Sequence, residues 1–256
     1  MEQLLKPKKL IVTTGLALGV LAIVMFACSM IGSERVSLNA AFSRPGTQTN
    51  PDYQILVGFR LPRIVLACLV GAALACSGVV FQALLRNPLA DPYILGISSG
   101  AGLGVIIAVI TGLNWTLWGR SPVAVFAFAG ALGTVWLVWF MGRLTGKFHT
   151  TGLLLAGVVI NAFFSAVIMF LTSIAKSDQV YSTIFWLMGN MAEEDFLVLW
   201  VGAGCVIGGI VALFFISPQL NALSFGADDA KSMGVNIVKT RTTAFAIAAG
   251  ITAIAV

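Results

Sequence analysis

Long apolar runs separated by short polar connections set the pattern of this chain. The runs cover about residues 10–32, 61–85, 93–112, 122–142, 152–175 and 196–216, and another begins near Arg241. An α-helix rises ~1.5 Å per residue, so each complete run is matched to the ~30 Å hydrocarbon core of a bilayer. The pattern predicts an all-α, polytopic membrane helix bundle with six complete spans and part of a seventh. It also predicts a single transmembrane domain over residues 1–256, with a long connection at residues 218–239 on the side of the amino terminus. Lys6, Lys8 and Lys9 precede the first run as they would in a signal peptide. That run exceeds the ~7–15 residues of a signal core, and Phe26-Ala27-Cys28 is a poor cleavage site, so it is read as a retained span.

Composition sharpens this picture. Hydrophobic residues make up 59% of the sequence and charged residues 10%, against about 25% charged in soluble domains. The net charge of +5 is therefore read by location, as a matter of topology and membrane lipids rather than of nucleic acid. If the runs cross in turn, the connections on the side of the amino terminus hold that whole excess, and those opposite balance. The excess of Lys and Arg puts the amino terminus in the cytoplasm. No charge falls deep within a run. Ion-coupled transporters usually keep an acid, base or His at membrane depth, so an ion-coupled secondary transporter or channel is the alternative class rather than the first. A membrane enzyme lacks the cluster of His, Asp, Glu or Ser that chemistry at membrane depth would need.

Candidate chemistry is sparse. Cys28, Cys68, Cys76 and Cys205 lie inside apolar runs, at spacings that fit no metal site, and read as small apolar fillers. His149 stands alone in a connection and reads as a solvated loop residue. Gly142-Arg143-Leu144-Thr145-Gly146-Lys147-Phe148 has the look of a phosphate-binding loop. It has three residues between its glycines instead of four, and Phe where Ser or Thr would meet magnesium. No catalytic residue, metal ligand or cofactor is expected.

The most specific stretch covers residues 60–104. Arg60-Leu61-Pro62-Arg63 opens it, and Gly71-Ala72-Ala73-Leu74-Ala75-Cys76-Ser77-Gly78 follows. Then come Gln82-Ala83-Leu84-Leu85-Arg86-Asn87-Pro88-Leu89-Ala90-Asp91-Pro92 and Leu95-Gly96-Ile97-Ser98-Ser99-Gly100-Ala101. Each proline forces an extended residue before it, so one helix must stop before Pro88 and the next cannot start early. Gly71, Ala75 and Gly78 put small residues on one helix face, and Gly96, Gly100 and Gly104 do so in the next run. In lipid such faces allow close packing of helix backbones. These motifs, in this order, resemble the permeases of the iron-siderophore, haem and vitamin B12 ATP-binding-cassette importers.

That resemblance implies one subunit of a transport complex in the cytoplasmic (inner) membrane of a prokaryote. The expected partners are ATP-binding-cassette ATPase subunits, a second permease subunit and a periplasmic or lipid-anchored substrate-binding protein. ATP hydrolysis is expected in the separate ATPase. The family has ten spans, so the chain is expected to be incomplete at its carboxy terminus. The implied cargo is a metal chelate: ferric siderophore first, then haem or cobalamin, against soft surfaces such as Met169, Met188 and Met191.

The resemblance also implies roles for particular residues. Arg60 and Arg63 would meet acidic residues of the binding protein; from the residues alone they would equally snorkel to lipid phosphates. Asn87, Leu89, Thr150 and Thr151 are candidates for the cytoplasmic gate, with helix capping as the simpler role of the threonines. Gly96, Gly100 and Gly104 would pack helices near the pathway. Within residues 218–239, Leu220, Leu223, Ala227, Ala230 and Met233 recur at helical spacing. Gly226 and Gly234 allow sharp breaks at the ends of a short helix. The predicted amphipathic helix pair would dock the ATPase through Gly226, Ala227, Asp228, Asp229, Ser232 and Gly234. A further short apolar segment, residues 183–189, fits either a helix lining the outer vestibule or an interfacial helix anchored by Trp186.

Overall fold

The structure, a computed structural model, describes residues 7–42, 50–113, 121–144, 150–189, 191 and 196–256. Among these, every regular element is helical. Helix α1 (Pro7–Met30) precedes two short helices, α2 (Leu38–Phe42) and α3 (Pro51–Tyr53). A π-helical segment, Gln54–Arg60, runs directly into α4 (Leu61–Leu85). A 3-10 turn, Pro92–Leu95, then leads to α5 (Ile97–Thr111), followed by α6 (Pro122–Leu144), α7 (Thr150–Ile174) and α8 (Ser177–Leu187). The remaining helices are α9 (Phe196–Phe215), α10 (Ser217–Phe225), α11 (Ala227–Ser232) and α12 (Ile237–Ala255).

Among the described residues, six helical stretches are long and apolar enough to cross a membrane: Lys8–Met30, Pro51–Leu85, Pro122–Gly142, Gly152–Ile174, Phe196–Phe215 and Ile237–Ala255. The all-α membrane bundle is borne out; three of its expected spans are built differently. The run at residues 93–112 is not one helix. Asp91 Oδ1 accepts from the Tyr93 N–H at 2.7 Å and starts the 3-10 turn. Gly96, at φ 74°, then breaks it before the fifteen residues of α5. A Cβ on Gly96 would stand 3.3 Å from the backbone nitrogen of Asn161, so the break is seated directly on α7.

The second long stretch is helical from Pro51, ten residues before its expected start at Leu61. Pro62 explains the π segment. It has no N–H, and in an α-helix its ring would collide with the carbonyl four residues back, that of Gly58. A wider π turn, in which the Leu61 N–H bonds to Leu56 O, carries the chain through. The last helix begins at Ile237 rather than near Arg241, because Asn236 Oδ1 caps it by accepting from the Lys239 N–H at 3.0 Å.

The chain divides into two compact units. One comprises Met1–Cys68 with Met191–Leu199. Its α1 leaves most of its apolar side chains exposed, as a lipid-facing helix does. Arg60 ties down the end of that helix: Nη1 donates to Ser29 O at 2.8 Å, and Nη2 donates to Glu34 O.

The other unit comprises Leu69–Asn190 with Trp200–Val256. Its core gathers Phe81 of α4, Val105 of α5, Val138 of α6 and Phe245 of α12. Phe245 packs edge-on to Phe81 and tilted on Trp139, at 5.8 and 5.6 Å between ring centres. Apolar burial does not drive helices together in lipid, so close packing and interhelical hydrogen bonds must do it. Both are present. The Ser77 hydroxyl donates to Ala248 O at 3.0 Å between buried stretches of α4 and α12, a bond of the kind worth ~0.6–2 kcal/mol in a membrane. Helices α5 and α6 meet backbone to backbone: a Cβ on Gly100 would stand 2.7 Å from Gly130 O, and one on Gly104 would strike Phe126 O.

Candidate functional site

Within the second unit, the α4–α5 connection and the α10–α11 hairpin come together. Helix α4 ends at Leu85 with Arg86 in the left-handed region, φ 49°. The Asn87 N–H reaches back to Gln82 O at 3.2 Å, the bond that closes a Schellman end. Asn87 then builds the next turn: its Oδ1 accepts from the Leu89 N–H at 2.9 Å, and its carbonyl accepts from the Ala90 N–H at 3.0 Å. Gln82, in the last turn of α4, folds its side chain back and donates from Nε2 to Pro88 O at 3.0 Å. The result is a pinned loop with Leu89 at its tip, 78% exposed.

The α10–α11 hairpin carries a small core of its own. Ala222, Leu223 and Ala230 are buried against Val235 and Ile237. Helix α11 closes with a Schellman end on Gly234, φ 79°, where Val235 N–H bonds to Ala230 O and Gly234 N–H to Lys231 O, both at 3.0 Å. This matches the breaks expected at Gly226 and Gly234. The buried face differs in one place: Met233 is exposed and Ala222 is buried instead, because the chain turns at Gly234 before Met233 can reach the core. Asp228, Asp229 and Ser232 are exposed, Ala227 is half-buried, and the Ser232 hydroxyl donates to Asp228 O at 3.0 Å. Phe225 and Met233 present two large apolar side chains on the outside of the hairpin.

Arg86 connects the two. Its Nε donates to Leu223 O at 3.0 Å, in the last turn of α10. A Cβ on Gly226 would lie 3.2 Å from Arg86 Nη2 and 3.0 Å from Asp229 Oδ2. Gly226 thus sits where a guanidinium and a carboxylate converge. Asn87, Leu89, Gly226, Ala227, Asp228, Asp229, Ser232 and Gly234 therefore fall on two linked segments. Thr150 and Thr151 open α7, but their side chains lie outside the described residues, as do His149 and residues 145–148 of the apparent phosphate loop. Gly96, Gly100 and Gly104 serve the backbone packing already described.

Two other regions bear on the expected sites. In the first unit, Arg63 is exposed while Arg60 is half-buried against the end of α1. In the second, α8 begins at Ser177, earlier than the apolar segment 183–189 suggested. Gln179 Nε2 donates to Val109 O at 3.2 Å, closing the last turn of α5, and its Oε1 accepts from the Lys176 N–H at 3.0 Å. Leu187 covers Gly102, and Trp186 packs on the core. Met169 and Met188 are exposed. Sequence reasoning missed the parts played by Gln82, Arg86, Gln179 and Ser77. Arg86 left one trace, a non-glycine residue where a helix has to end before Asn87-Pro88.

The chain was compared with known proteins. A family model described as the FecCD transport family matches residues 20–256. The uncharacterized ABC transporter permease protein YvrB of Bacillus subtilis is 35% identical over 205 residues, covering 79% of this chain and 58% of that protein. The cobalamin import system permease protein BtuC of Halobacterium salinarum is 37% identical over 204 residues, covering 79% and 54%. The hemin transport system permease protein HmuU of Yersinia pestis is 36% identical over 226 residues, covering 87% and 67%. A solved chain described as of the metal-chelate ABC transporter type, in an inward-facing conformation, superposes with a TM-score of 0.78 at 30% identity. That match covers 98% of this chain and 75% of the solved one. The chain spans about half the length of the first curated relatives it matches.

Proposed function

The chain belongs to the FecCD transport family, and we propose that it works as a membrane-spanning permease subunit of an ATP-binding-cassette importer for a metal chelate. The observation that carries this reading is the α10–α11 hairpin, a compact amphipathic element with its own small core and exposed Phe225 and Met233. It suits a protein partner, and the partner proposed is the ATPase subunit, docked over residues 226–234. In this arrangement the amino terminus and the hairpin are cytoplasmic, in the inner membrane of a prokaryote. A second permease subunit completes the path. Asn87, Leu89, Thr150 and Thr151 form the cytoplasmic gate, and no chemistry is done on the cargo.

On the outer side, Arg63 and Arg60 receive the binding protein. Arg63 is free to pair bidentately with a carboxylate, and Arg60 shares its fork with the carbonyls at the end of α1. Among chelates, ferric siderophore is preferred over haem and cobalamin, with Met169 and Met188 as soft exposed surfaces.

Proteoliposomes holding the assembled transporter test the reading. Uptake of a ferric siderophore delivered by the binding protein should stop with orthovanadate and persist after ionophores collapse the ion gradients. The opposite pattern would establish the ion-coupled alternative.

A further inference from the structure

We infer that Arg86 is the positioning residue through which movement of the α10–α11 hairpin reaches the α4–α5 loop. This rests on the reading of that hairpin as the ATPase dock. Two helix ends in this region have the same Schellman geometry. At the end of α11 the left-handed position is Gly234; at the end of α4 it is Arg86, φ 49°. Glycine takes that conformation without steric cost, and an arginine does not. What Arg86 adds is its side chain. Nε holds Leu223 O at 3.0 Å in the last turn of α10, where unpaired carbonyls and the helix dipole favour a cation. Nη2 lies beside Gly226, the joint between α10 and α11, opposite Asp229 Oδ2.

On its other side Arg86 is one residue from the pinned loop. Asn87 N–H is bonded to Gln82 O, and Gln82 Nε2 to Pro88 O. Any displacement of the joint at Gly226 therefore has a rigid, short route to the base of the loop that carries Leu89. The planar guanidinium of Arg86 is bonded to a helix end through Nε and sets its Nη2 close to the glycine at the joint.

The variant that tests this is Arg86→Gly. It supplies the residue the Schellman end prefers, so α4 still terminates properly while the tie is lost, together with the positive charge that Arg86 sets near Arg241. In a cysteine-free background, Leu89→Cys reports the loop through its rate of maleimide labelling, and Ser232→Cys reports docking by cross-linking to the ATPase. The assembled transporter is measured with and without ATP and orthovanadate. With Arg86 present, trapping should change the labelling rate at Leu89→Cys at least fivefold. In Arg86→Gly the change should fall below twofold while the Ser232→Cys cross-link persists. An unaltered response in Arg86→Gly overturns this inference alone, as does loss of the cross-link in that variant only, which would make Arg86 part of the dock. A cross-linked parent with no response at Leu89→Cys overturns it too. A parent with no cross-link overturns the docking reading and this inference with it.

Discussion

At the scale of single residues, two arginines in one motif have separate work. Arg60 and Arg63 stand three apart, yet Arg60 is spent largely on Ser29 O and Glu34 O, and Arg63 is exposed. Hydrogen bonds to a charged donor contribute ~1.5–3 kcal/mol when buried, and solvent reduces that at a half-exposed site. Arg60→Ala is therefore expected to destabilise the end of α1 by about 1–2 kcal/mol in total. Amide exchange at residues 27–34 should speed up by roughly tenfold. Arg63→Glu should leave that exchange unaltered. It should instead slow delivery by the binding protein, more strongly at low salt than at physiological salt, because a rim pair acts mainly on encounter. If Arg63→Glu transports normally at both salt concentrations, its side chain serves the lipid surface and not docking.

Helices of similar composition are packed in unlike ways. Small residues recur at helical spacing in α4 as in α5, but a Cβ added at Gly71 meets nothing within 4 Å, and one at Gly104 strikes the Phe126 carbonyl. A carbonyl in a helix cannot step aside as a side-chain tip can. Gly104→Ala should force α5 and α6 apart and cost about 1–3 kcal/mol, the usual range for overpacking. Gly71→Ala should be neutral or stabilising by up to ~1 kcal/mol through helix propensity. Melting of the purified protein in detergent, followed by circular dichroism, separates the two; equal midpoints would show that the α5–α6 contact is looser than described. The π segment before α4 belongs to this scale as well. Pro62 forbids an ordinary α-helical bond to Gly58, and the helix absorbs the defect over residues 54–60 instead of breaking.

Across the whole molecule, topology turns on α5. Its fifteen residues rise only ~22 Å, short of a bilayer core, but the 3-10 turn before Gly96 brings the reach to at most ~30 Å. If the turn and α5 cross together, α10–α11 lies on the side of the amino terminus, as the distribution of Lys and Arg requires. Single cysteines at Ser33 and Asn221, both exposed, decide it. An impermeant reagent should label Ser33→Cys from outside intact spheroplasts and reach Asn221→Cys only after lysis. Outside labelling of both would mean that α5 does not cross, and the gate and docking assignments would fall with it.

Sequence alone determined the membrane class, the approximate spans, the stop before Pro88 and the delayed start of the next helix, and the two glycine-bounded breaks around α11. These depend on local quantities, namely run length, side-chain polarity and the φ restrictions of proline and glycine, and they survive any tertiary arrangement. It also marked Gly100 and Gly104 as small faces, without distinguishing them from Gly71. Only the tertiary structure decided which face meets a neighbour, because the partners come from distant segments: Phe126 for Gly104, Ala248 for Ser77, Leu223 for Arg86. It also split Arg60 from Arg63 and divided the third run at Gly96. A hydrogen-bonding side chain in an apolar run has many carbonyls to choose from. Which one it takes follows from how the helices pack, and no periodicity in the chain records that choice.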